Sequence, residues 1–203
     1  MIIDEGLLGP DRIREVLERA SAGGADAVQF RAKRLSKRQY YEKALSLLPI
    51  ARSHNVPFFV NDHIDVALAI SADGIHIGQN DLPCRAARRL VPRKMVFGVS
   101  THSIEQAARA VEEGADYIAI GPVFPTSTKQ DAEAVKGTEI VGMVKMQVGA
   151  VAVIAIGGIT VENVTEVIRS GADGVAVASA VALADDPCIA AQELKAKIRS
   201  VHG

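Results

Sequence analysis

Charged side chains of both signs follow short apolar runs at several places in this chain. Asp62 and Asp81 come after two successive runs, and the cations Arg31, Lys33 and Lys129 also follow such runs. Two carboxylates can hold a hard cation such as Mg²⁺, which keeps several of its waters in proteins. Fixed cations beside them favour a highly charged phosphate group. These residue types therefore predict a site for Mg²⁺ and for a phosphorylated small molecule.

A second anion site is indicated by small residues farther along the chain. The pair Gly157-Gly158 ends one apolar run, and Ala178-Ser179 ends the next. Backbone N–H groups beside such residues can cradle a phosphate, and the loops after the last two strands of a barrel commonly do so. Glycine pairs also serve tight turns, so this signal is weak by itself.

An internal repeat supplies elements that could position these residues. The phrase Gly-Ala-Asp followed by apolar residues begins at Gly24, Gly114 and Gly171, and a fourth copy begins at Ser71. A small residue suits the left-handed turn where a helix ends, and the apolar run after it is typical of a buried parallel strand. Each copy therefore predicts a helix-to-strand turn, and the copies lie roughly two βα units apart.

Apolar runs between the copies supply the remaining strands. They lie at 57–61, 95–100 and 151–157, and residues 1–4 supply a short first strand. Amphipathic stretches separate the strands, for example at 12–22, 38–54, 104–113 and 161–170. This alternation predicts an α/β fold, a (β/α)₈ TIM barrel whose site lies at the C-terminal ends of the strands. We expect the residues before Pro10 to contribute little to the core.

The length and composition of the whole chain limit the class of protein to which it can belong. With 203 residues, 48% of them hydrophobic, it can bury one substantial core, so we expect a single domain over residues 1–203. A formal net charge of -1 argues against nucleic acid as a partner. Cys84 and Cys188 fit neither a metal site nor a disulfide framework, the start lacks a signal peptide, and the longest apolar run is too short to span a bilayer. We therefore expect a cytoplasmic protein that acts on small molecules; a homo-oligomer is compatible with the sequence.

Several polar residues also have structural interpretations. Asp81 precedes Leu82-Pro83 and could be a helix N-cap. Asp62 could have the purely structural role of accepting hydrogen bonds within its loop. His76 alternates with isoleucines and points either to a substrate or into the core, where its ring would be hydrogen-bonded. Ser36 with Gln39, and Ser103 with Gln106, fit capping boxes.

Taken in order, the strand ends resemble those of the thiamine-phosphate synthase and thiazole tautomerase family. The resemblance covers nearly the whole chain from Gln29 onward. The matching phrases lie at 28–33, 61–62, 72–81, 98–102, 121–129 and 155–159. The resemblance implies a Mg²⁺-assisted transferase that joins a hydroxymethylpyrimidine diphosphate to a thiazole phosphate. In the family, diphosphate leaves to give a carbocation-like species, which the thiazole nitrogen captures.

The resemblance also implies a role for each matching residue. Arg31, Ser100 and Lys129 would be catalytic, with Ser100 near the reacting centre. Gln29 would contact the aminopyrimidine. The remaining roles are Arg31, Lys33, Asn61 and Lys129 on the diphosphate, Asp62 and Asp81 on Mg²⁺, Thr126 and Thr128 by the thiazole, and Gly158, Ala178 and Ser179 around its phosphate.

Two alternatives come from other classes. A thiazole tautomerase, an isomerase, usually has a histidine where this chain has Pro122 and lacks the complete Thr-x-Thr-Lys and aspartate set. The other alternative is a barrel that binds a phosphorylated ligand but has no activity. Its support is that the first segment is shorter than is usual in the family. For the synthase, we expect the loop at 122–137 to be a mobile lid that brings Lys129 to the diphosphate.

Overall fold

Eight parallel strands form one sheet in the order of the sequence. The computed structural model describes residues 1–126, 128 and 134–202. Each strand pairs with the next along the chain, and Ile2 N donates to Val177 O at 2.8 Å, which brings the first strand to the end of the last. The strands are β1 Ile2–Asp4, β2 Val28–Arg31, β3 Phe58–Asn61, β4 Gly74–Ile77, β5 Val96–Thr101, β6 Tyr117–Ile120, β7 Ala152–Ile156 and β8 Gly174–Ala176. The predicted (β/α)₈ barrel with a short first strand is confirmed.

Helices connect the strands and cover the outside of the sheet. They are α1 Glu5–Leu8, α2 Ile13–Ala22, α3 Lys37–Ser53, α4 Ile64–Ala69, α5 Cys84–Leu90, α6 Ile104–Glu112, α7 Glu139–Val148, α8 Val164–Arg169, α9 Ser179–Ala182 and α10 Pro187–His202. The predicted amphipathic stretches match α2, α3, α6 and α8 to within a few residues. Ser36 and Gln39 form the predicted capping box at the start of α3. Within the described residues, no helix is both long and apolar enough to cross a membrane.

Alternate residues of each strand face the helices and the barrel interior. The Phe30 ring packs on Tyr40 of α3 with centroids 4.8 Å apart, and the Arg88 guanidinium of α5 lies 5.2 Å from the Phe97 ring centroid. Both phenylalanines are fully buried between sheet and helices. Successive residues of a strand point to opposite faces, so the neighbours of each phenylalanine along its strand point into the barrel. The polar side chains of the site are found there.

Two glycines on the inner surface of the sheet leave room for aromatic rings. A Cβ at Gly74 would lie 2.2 Å from the Phe59 ring, and a Cβ at Gly98 would lie 2.1 Å from the Tyr117 ring. The two rings meet edge to face with centroids 6.1 Å apart. The missing side chains thus allow rings from neighbouring strands to fill the barrel centre.

The repeat forms the turns predicted from it. Gly24, Ser71, Gly114 and Gly171 all have positive φ, with values of 94, 54, 100 and 108°. This is the backbone region that glycine enters most readily. The fourth copy therefore adopts the same turn although it begins with serine.

The aspartates of three copies bind the preceding strand at its N-terminal end. Asp73, Asp116 and Asp173 each accept a hydrogen bond of 2.8 Å, and the donors are the backbone N–H groups of Phe58, Phe97 and Val153. Each carboxylate therefore links the starts of two neighbouring strands. The repeat serves the rim of the barrel opposite the predicted site.

The segment before Pro10 contributes more to the core than the sequence suggested. Ile3 is 1% exposed and Leu8 is 8% exposed. Ile3 is the central residue of β1 and is paired with Phe30 of β2. A strand of three residues is long enough to bury its middle side chain, so the expectation of little core before Pro10 was wrong at these positions.

Candidate active site

Two carboxylates and a lysine meet beyond the C-terminal ends of β3 and β4. Asp62 follows β3 in the left-handed backbone region, at φ 63°, and its N–H donates to His76 O at 2.8 Å. Lys33 Nζ donates to Asp62 Oδ2 at 2.5 Å. The Lys33 side chain is 54% exposed and that of Asp62 only 12%. The lysine therefore covers a largely buried carboxylate from the solvent side.

Asp81 lies against Asp62. Its pKa is raised, first by desolvation and then by a hydrogen-bonding interaction with the Asp62 side chain. Asp81 Oδ2 accepts from Gly78 N at 2.7 Å, whereas the residue that caps α5 is Pro83, which makes no side-chain cap hydrogen bond. The N-cap interpretation of Asp81 was therefore wrong, because the loop turns its carboxylate back toward β4.

Asp62 and Asp81 are the described residues that could hold a hard cation such as Mg²⁺. Among the residues described, no group of three or more His, Cys, Asp or Glu side chains could hold a metal ion. Mg²⁺ often needs only one or two carboxylates, because waters and substrate phosphates complete its octahedron. A cation bound between the two carboxylates would offset the cost of ionising Asp81 beside Asp62.

Arg31 is held by a residue that the sequence analysis did not select. Its guanidinium Nη1 is ion-paired with Asp4 Oδ2 at the end of β1. Asp4 is 4% exposed, and its other oxygen accepts from Leu7 N at 3.3 Å, which caps α1. Asp4 could have been found, because it ends a strand on the same side as the other polar residues. The pair orients the guanidinium at the barrel mouth.

His76 lies inside the barrel with both ring nitrogens bonded. Nδ1 lies 2.9 Å from the Tyr117 hydroxyl, and Nε2 lies 2.7 Å from Ser100 Oγ. The ring is largely buried, and desolvation lowers its pKa to about 4. Of the two interpretations that the sequence left open, the geometry matches the hydrogen-bonded core histidine. Tyr117 and the contact to Ser100 were not predicted, since Tyr117 sits within an apolar run.

Side chains from neighbouring elements fix the backbone around this histidine. Asn61 Nδ2 donates to His76 O at 3.3 Å, and the Tyr40 hydroxyl accepts from Asn61 N at 3.1 Å. Gln79 Nε2 donates to Ser100 O at 2.7 Å. Ser100 is therefore held at its side chain by His76 and at its carbonyl group by Gln79. Gln29 lies opposite Phe59 in the sheet register and is partly buried.

The glycine pair after β7 has the backbone that its residues require. Gly157 has φ 100° and Gly158 has φ 63°. A Cβ at Gly158 would lie 2.4 Å from Pro125 O, so the loop after β6 passes directly over this turn. Asn163 Nδ2 donates to Gly158 O at 2.9 Å, which fixes the turn from below and was not predicted.

The loop after β6 reaches the start of α9. Thr128 Oγ1 donates to Ser179 Oγ at 3.4 Å, and Thr128 N donates to Thr126 Oγ1 at 3.3 Å. Ala178 is the residue that precedes α9. The predicted thiazole and phosphate residues are therefore neighbours in space. Lys129 lies outside the described residues, as do residues 127 and 130–133 of the predicted lid.

The fold and these side chains define a class, the TIM-barrel enzymes with their polar groups at the C-terminal ends of the strands. A family model described as thiamine monophosphate synthase matches residues 1–181. The chain is 46% identical over 198 residues to the thiamine-phosphate synthase of Chloroflexus aurantiacus, covering 98% of this chain and 91% of the relative. It is 44% identical to that of Methanocella arvoryzae, covering 98% and 93%.

A solved structure leads to the same family. Thiamine phosphate pyrophosphorylase from Pyrococcus furiosus superposes with a TM-score of 0.90 at 39% identity, covering 100% of this chain and 96% of that one. The chain belongs to the thiamine monophosphate synthase family. The family, the barrel and the transferase activity of a thiamine-phosphate synthase, all predicted from the sequence, are confirmed.

Proposed function

We propose that this chain couples hydroxymethylpyrimidine diphosphate to thiazole phosphate with the help of Mg²⁺, giving thiamine phosphate and diphosphate. The observation that carries the proposal is the meeting of Asp62, Asp81 and Lys33 at one end of a barrel of this family. Such a cluster suits a leaving diphosphate. The cytoplasmic location remains a prediction from the sequence.

Asp62 and Asp81 would hold the Mg²⁺ ion, together with waters and substrate oxygens. When bound, the ion would neutralise charge that accumulates on the departing diphosphate. Lys33 has a matching second role. In the free protein it neutralises Asp62, and because its side chain is half-exposed it could turn toward an incoming diphosphate. The site would thus exchange an internal ion pair for contacts with metal and substrate.

Arg31 would supply fixed positive charge. A guanidinium remains protonated at any physiological pH, and its fork geometry matches phosphate oxygens. Asp4 engages one guanidinium nitrogen from the buried side, and among the described residues it is the ion-pair partner of Arg31, so the other N–H groups could bind a phosphate at the barrel mouth. A donor positioned in advance stabilises developing charge without the cost of reorganisation.

The reaction would need no general base in the protein, because a ring nitrogen with a lone pair is the nucleophile. His76 supports this view. Burial lowers its pKa to about 4, and both of its nitrogens already bond to Tyr117 and Ser100. The histidine is therefore neutral at pH 7 and has no free position for proton transfer. Assistance to the leaving group would carry most of the rate acceleration.

The second substrate would bind between the loops after β6, β7 and β8. Thr126 and Thr128 would contact the thiazole, while Gly158, Ala178 and Ser179 would surround its phosphate. The hydrogen bond between Thr128 and Ser179 supports a common site for these residues. Lys129 would complete the diphosphate contacts from the same loop as Thr128, and Gln29 and Asn61 would act on the first substrate.

The test is incubation of the purified protein with both substrates, with and without Mg²⁺, followed by detection of thiamine phosphate. We expect product only with the metal, and a loss of at least 100-fold in kcat for Asp62→Asn, the size that removal of one group stabilising the transition state can cause. Asp65→Asn is the matched control, because Asp65 is an exposed aspartate on the next helix that pairs with Lys37. Isomerisation of the thiazole without thiamine phosphate formation would instead indicate the tautomerase.

A further inference from the structure

Three side chains from neighbouring strands form a hydrogen-bonded chain inside the barrel. The Tyr117 hydroxyl of β6 lies 2.9 Å from His76 Nδ1 of β4, and His76 Nε2 lies 2.7 Å from Ser100 Oγ of β5. Tyr117 and His76 also pack ring against ring, with centroids 5.5 Å apart. Tyr117 is the first residue of β6, whereas Ser100 is the last but one residue of β5. The hydrogen bonds therefore lead from the N-terminal side of the barrel toward the C-terminal side, where the candidate site lies.

We propose that Tyr117 is a positioning residue: its phenol donates to His76 Nδ1, which places the imidazole proton on Nε2 and leaves the Ser100 hydroxyl proton free to donate to a substrate. The proposal deepens the function proposed above and rests on it for the role of Ser100. Tyr117 itself would touch no substrate.

The donor and the acceptor of each hydrogen bond in this series follow from which groups carry a proton. Among the described residues, His76 is the hydrogen-bond partner of the Tyr117 hydroxyl. Burial raises the pKa of Tyr117, so the phenol keeps its proton. A buried O–H group that donates to nothing costs about 1–3 kcal/mol, which favours Tyr117 as donor and Nδ1 as acceptor.

The remaining steps are fixed by the imidazole. A neutral ring carries one N–H group, so acceptance at Nδ1 puts that group on Nε2. Nε2–H then donates to Ser100 Oγ. The serine oxygen is thereby an acceptor toward His76, and its own proton must point elsewhere. Since the Ser100 carbonyl is held by Gln79, the hydroxyl has a defined origin from which to meet a substrate oxygen or nitrogen.

The sheet is built to admit Tyr117 at this place. Gly98 lies opposite Tyr117 in the register, and a Cβ at Gly98 would lie 2.1 Å from the tyrosine ring. The Tyr117 ring also meets the Phe59 ring edge to face. With glycine on one side and an aromatic ring on the other, the phenol is held under His76.

The first test is the protonation of His76 by ¹⁵N NMR in histidine-labelled protein. The chain has five histidines, so the His76 signals are identified by their loss in His76→Gln. We expect the Nε2–H form in the unaltered protein at pH 7. In Tyr117→Phe we expect a shift toward the Nδ1–H form, since no group then donates to Nδ1. A wild-type ring protonated on Nδ1 would overturn the proposal without any variant having to fold.

The second test measures the consequence for Ser100. With both substrates saturating, Tyr117→Phe should lower kcat about tenfold, equal to about 1.4 kcal/mol, while KM for thiazole phosphate stays unchanged. In a Ser100→Ala background the same change should have no further effect. Tyr41→Phe, at a partly buried tyrosine on α3, is the control expected to keep full activity. Equal losses in both backgrounds would refute the positioning role.

The two failures are distinguishable. If the protein forms no thiamine phosphate, the proposed function fails, but the NMR result still decides the direction of the chain. If it forms thiamine phosphate and Tyr117→Phe retains full kcat, the positioning role fails alone.

Discussion

Lys33 Nζ lies 2.5 Å from Asp62 Oδ2, so the lysine occupies one of the two carboxylates that would hold the metal. Lys33 is half-exposed, so its side of the pair is screened by solvent, whereas Asp62 is largely buried. The importance of the pair is for binding. When Mg²⁺ and a diphosphate bind together, the ion pair must separate so that Asp62 contacts the metal and Lys33 contacts the diphosphate.

Lys33→Ala should change the binding of the two ligands in opposite directions. Mg²⁺ alone should bind more tightly to the free variant, because Asp62 has lost its competing ammonium group. The diphosphate substrate should bind about tenfold more weakly or worse, since a charge-assisted contact of about 1.5–3 kcal/mol is lost. Titration calorimetry with each ligand checks both. Lys37→Ala, which removes an exposed partner of Asp65, is the control; weaker binding of Mg²⁺ by Lys33→Ala would contradict the competition.

Asp81→Asn should stabilise the metal-free protein while abolishing its Mg²⁺-dependent activity. The pKa of Asp81 is raised in the folded protein by desolvation and by Asp62, so folding favours the protonated carboxyl. Stability from this group is present at low pH and is lost as pH rises through the raised pKa. Asparagine stays neutral and can still accept from Gly78 N.

Thermal unfolding in a chelator across pH measures this effect. The melting temperature of Asp81→Asn should exceed that of the unaltered protein at pH 7. The difference should shrink as pH falls through the raised pKa of Asp81 and vanish below about 4, where a free aspartate is protonated as well. A variant that melts lower at pH 7 would show that the ionised pair stabilises the fold.

The repeated aspartates should differ in their contributions to stability. Asp173→Ala removes an acceptor from Val153 N–H, which lies on a fully buried residue, and it also breaks an ion pair with Lys145. We expect a loss of about 1–3 kcal/mol in the free energy of unfolding. Asp26→Ala should cost under about 1 kcal/mol, because Asp26 is 85% exposed and paired with Lys195. Denaturant titrations compare the two, and similar losses would contradict this account of the repeat.

Ser71→Gly should stabilise the protein. Ser71 is exposed and has φ 54°, a conformation that costs an L-residue roughly 1–2 kcal/mol. Glycine removes that cost but adds freedom to the unfolded chain, which leaves a net gain of about 0.5 kcal/mol. The reverse change, Gly171→Ser, should lose about 1 kcal/mol from backbone strain alone, since a Cβ there would meet Lys145 Cβ at an ordinary 3.6 Å. Calorimetric unfolding of the two variants should shift in opposite directions.

The sequence predicted the barrel because its repeat is a local signal. Each Gly-Ala-Asp copy carries its own turn residue and strand start, so no distant contact was needed to recognise it. The strand ends followed from the same rule, which places every polar residue after an apolar run at one face. Lys33, Asp62, Asp81 and Arg31 could be selected in this way, whereas their roles remain proposals.

The partners of these residues could not be predicted, because they depend on how the sheet curves. Asp4 meets Arg31 only since β1 lies beside β2, and its strand is too short to give a clear pattern. Tyr117 lies in an apolar run and has no polar pattern around it, yet Gly98 on the neighbouring strand β5 leaves room for the tyrosine hydroxyl to reach His76. The same limit explains Asp81, whose position before Pro83 fits a cap until the loop geometry is known.

The loop after β6 leaves and re-enters the barrel at one point. Lys136 N donates to Pro122 O at 2.8 Å and Gly137 N to Val123 O at 3.1 Å, so its two ends are joined by backbone hydrogen bonds. For a loop closed in this way, doubling its length costs only about 0.6 kcal/mol. Insertions or exchanges beyond this junction would thus alter which molecules the barrel mouth admits well before they altered whether the barrel folds. Selection on substrate choice and selection on folding can act here on separate stretches of one chain.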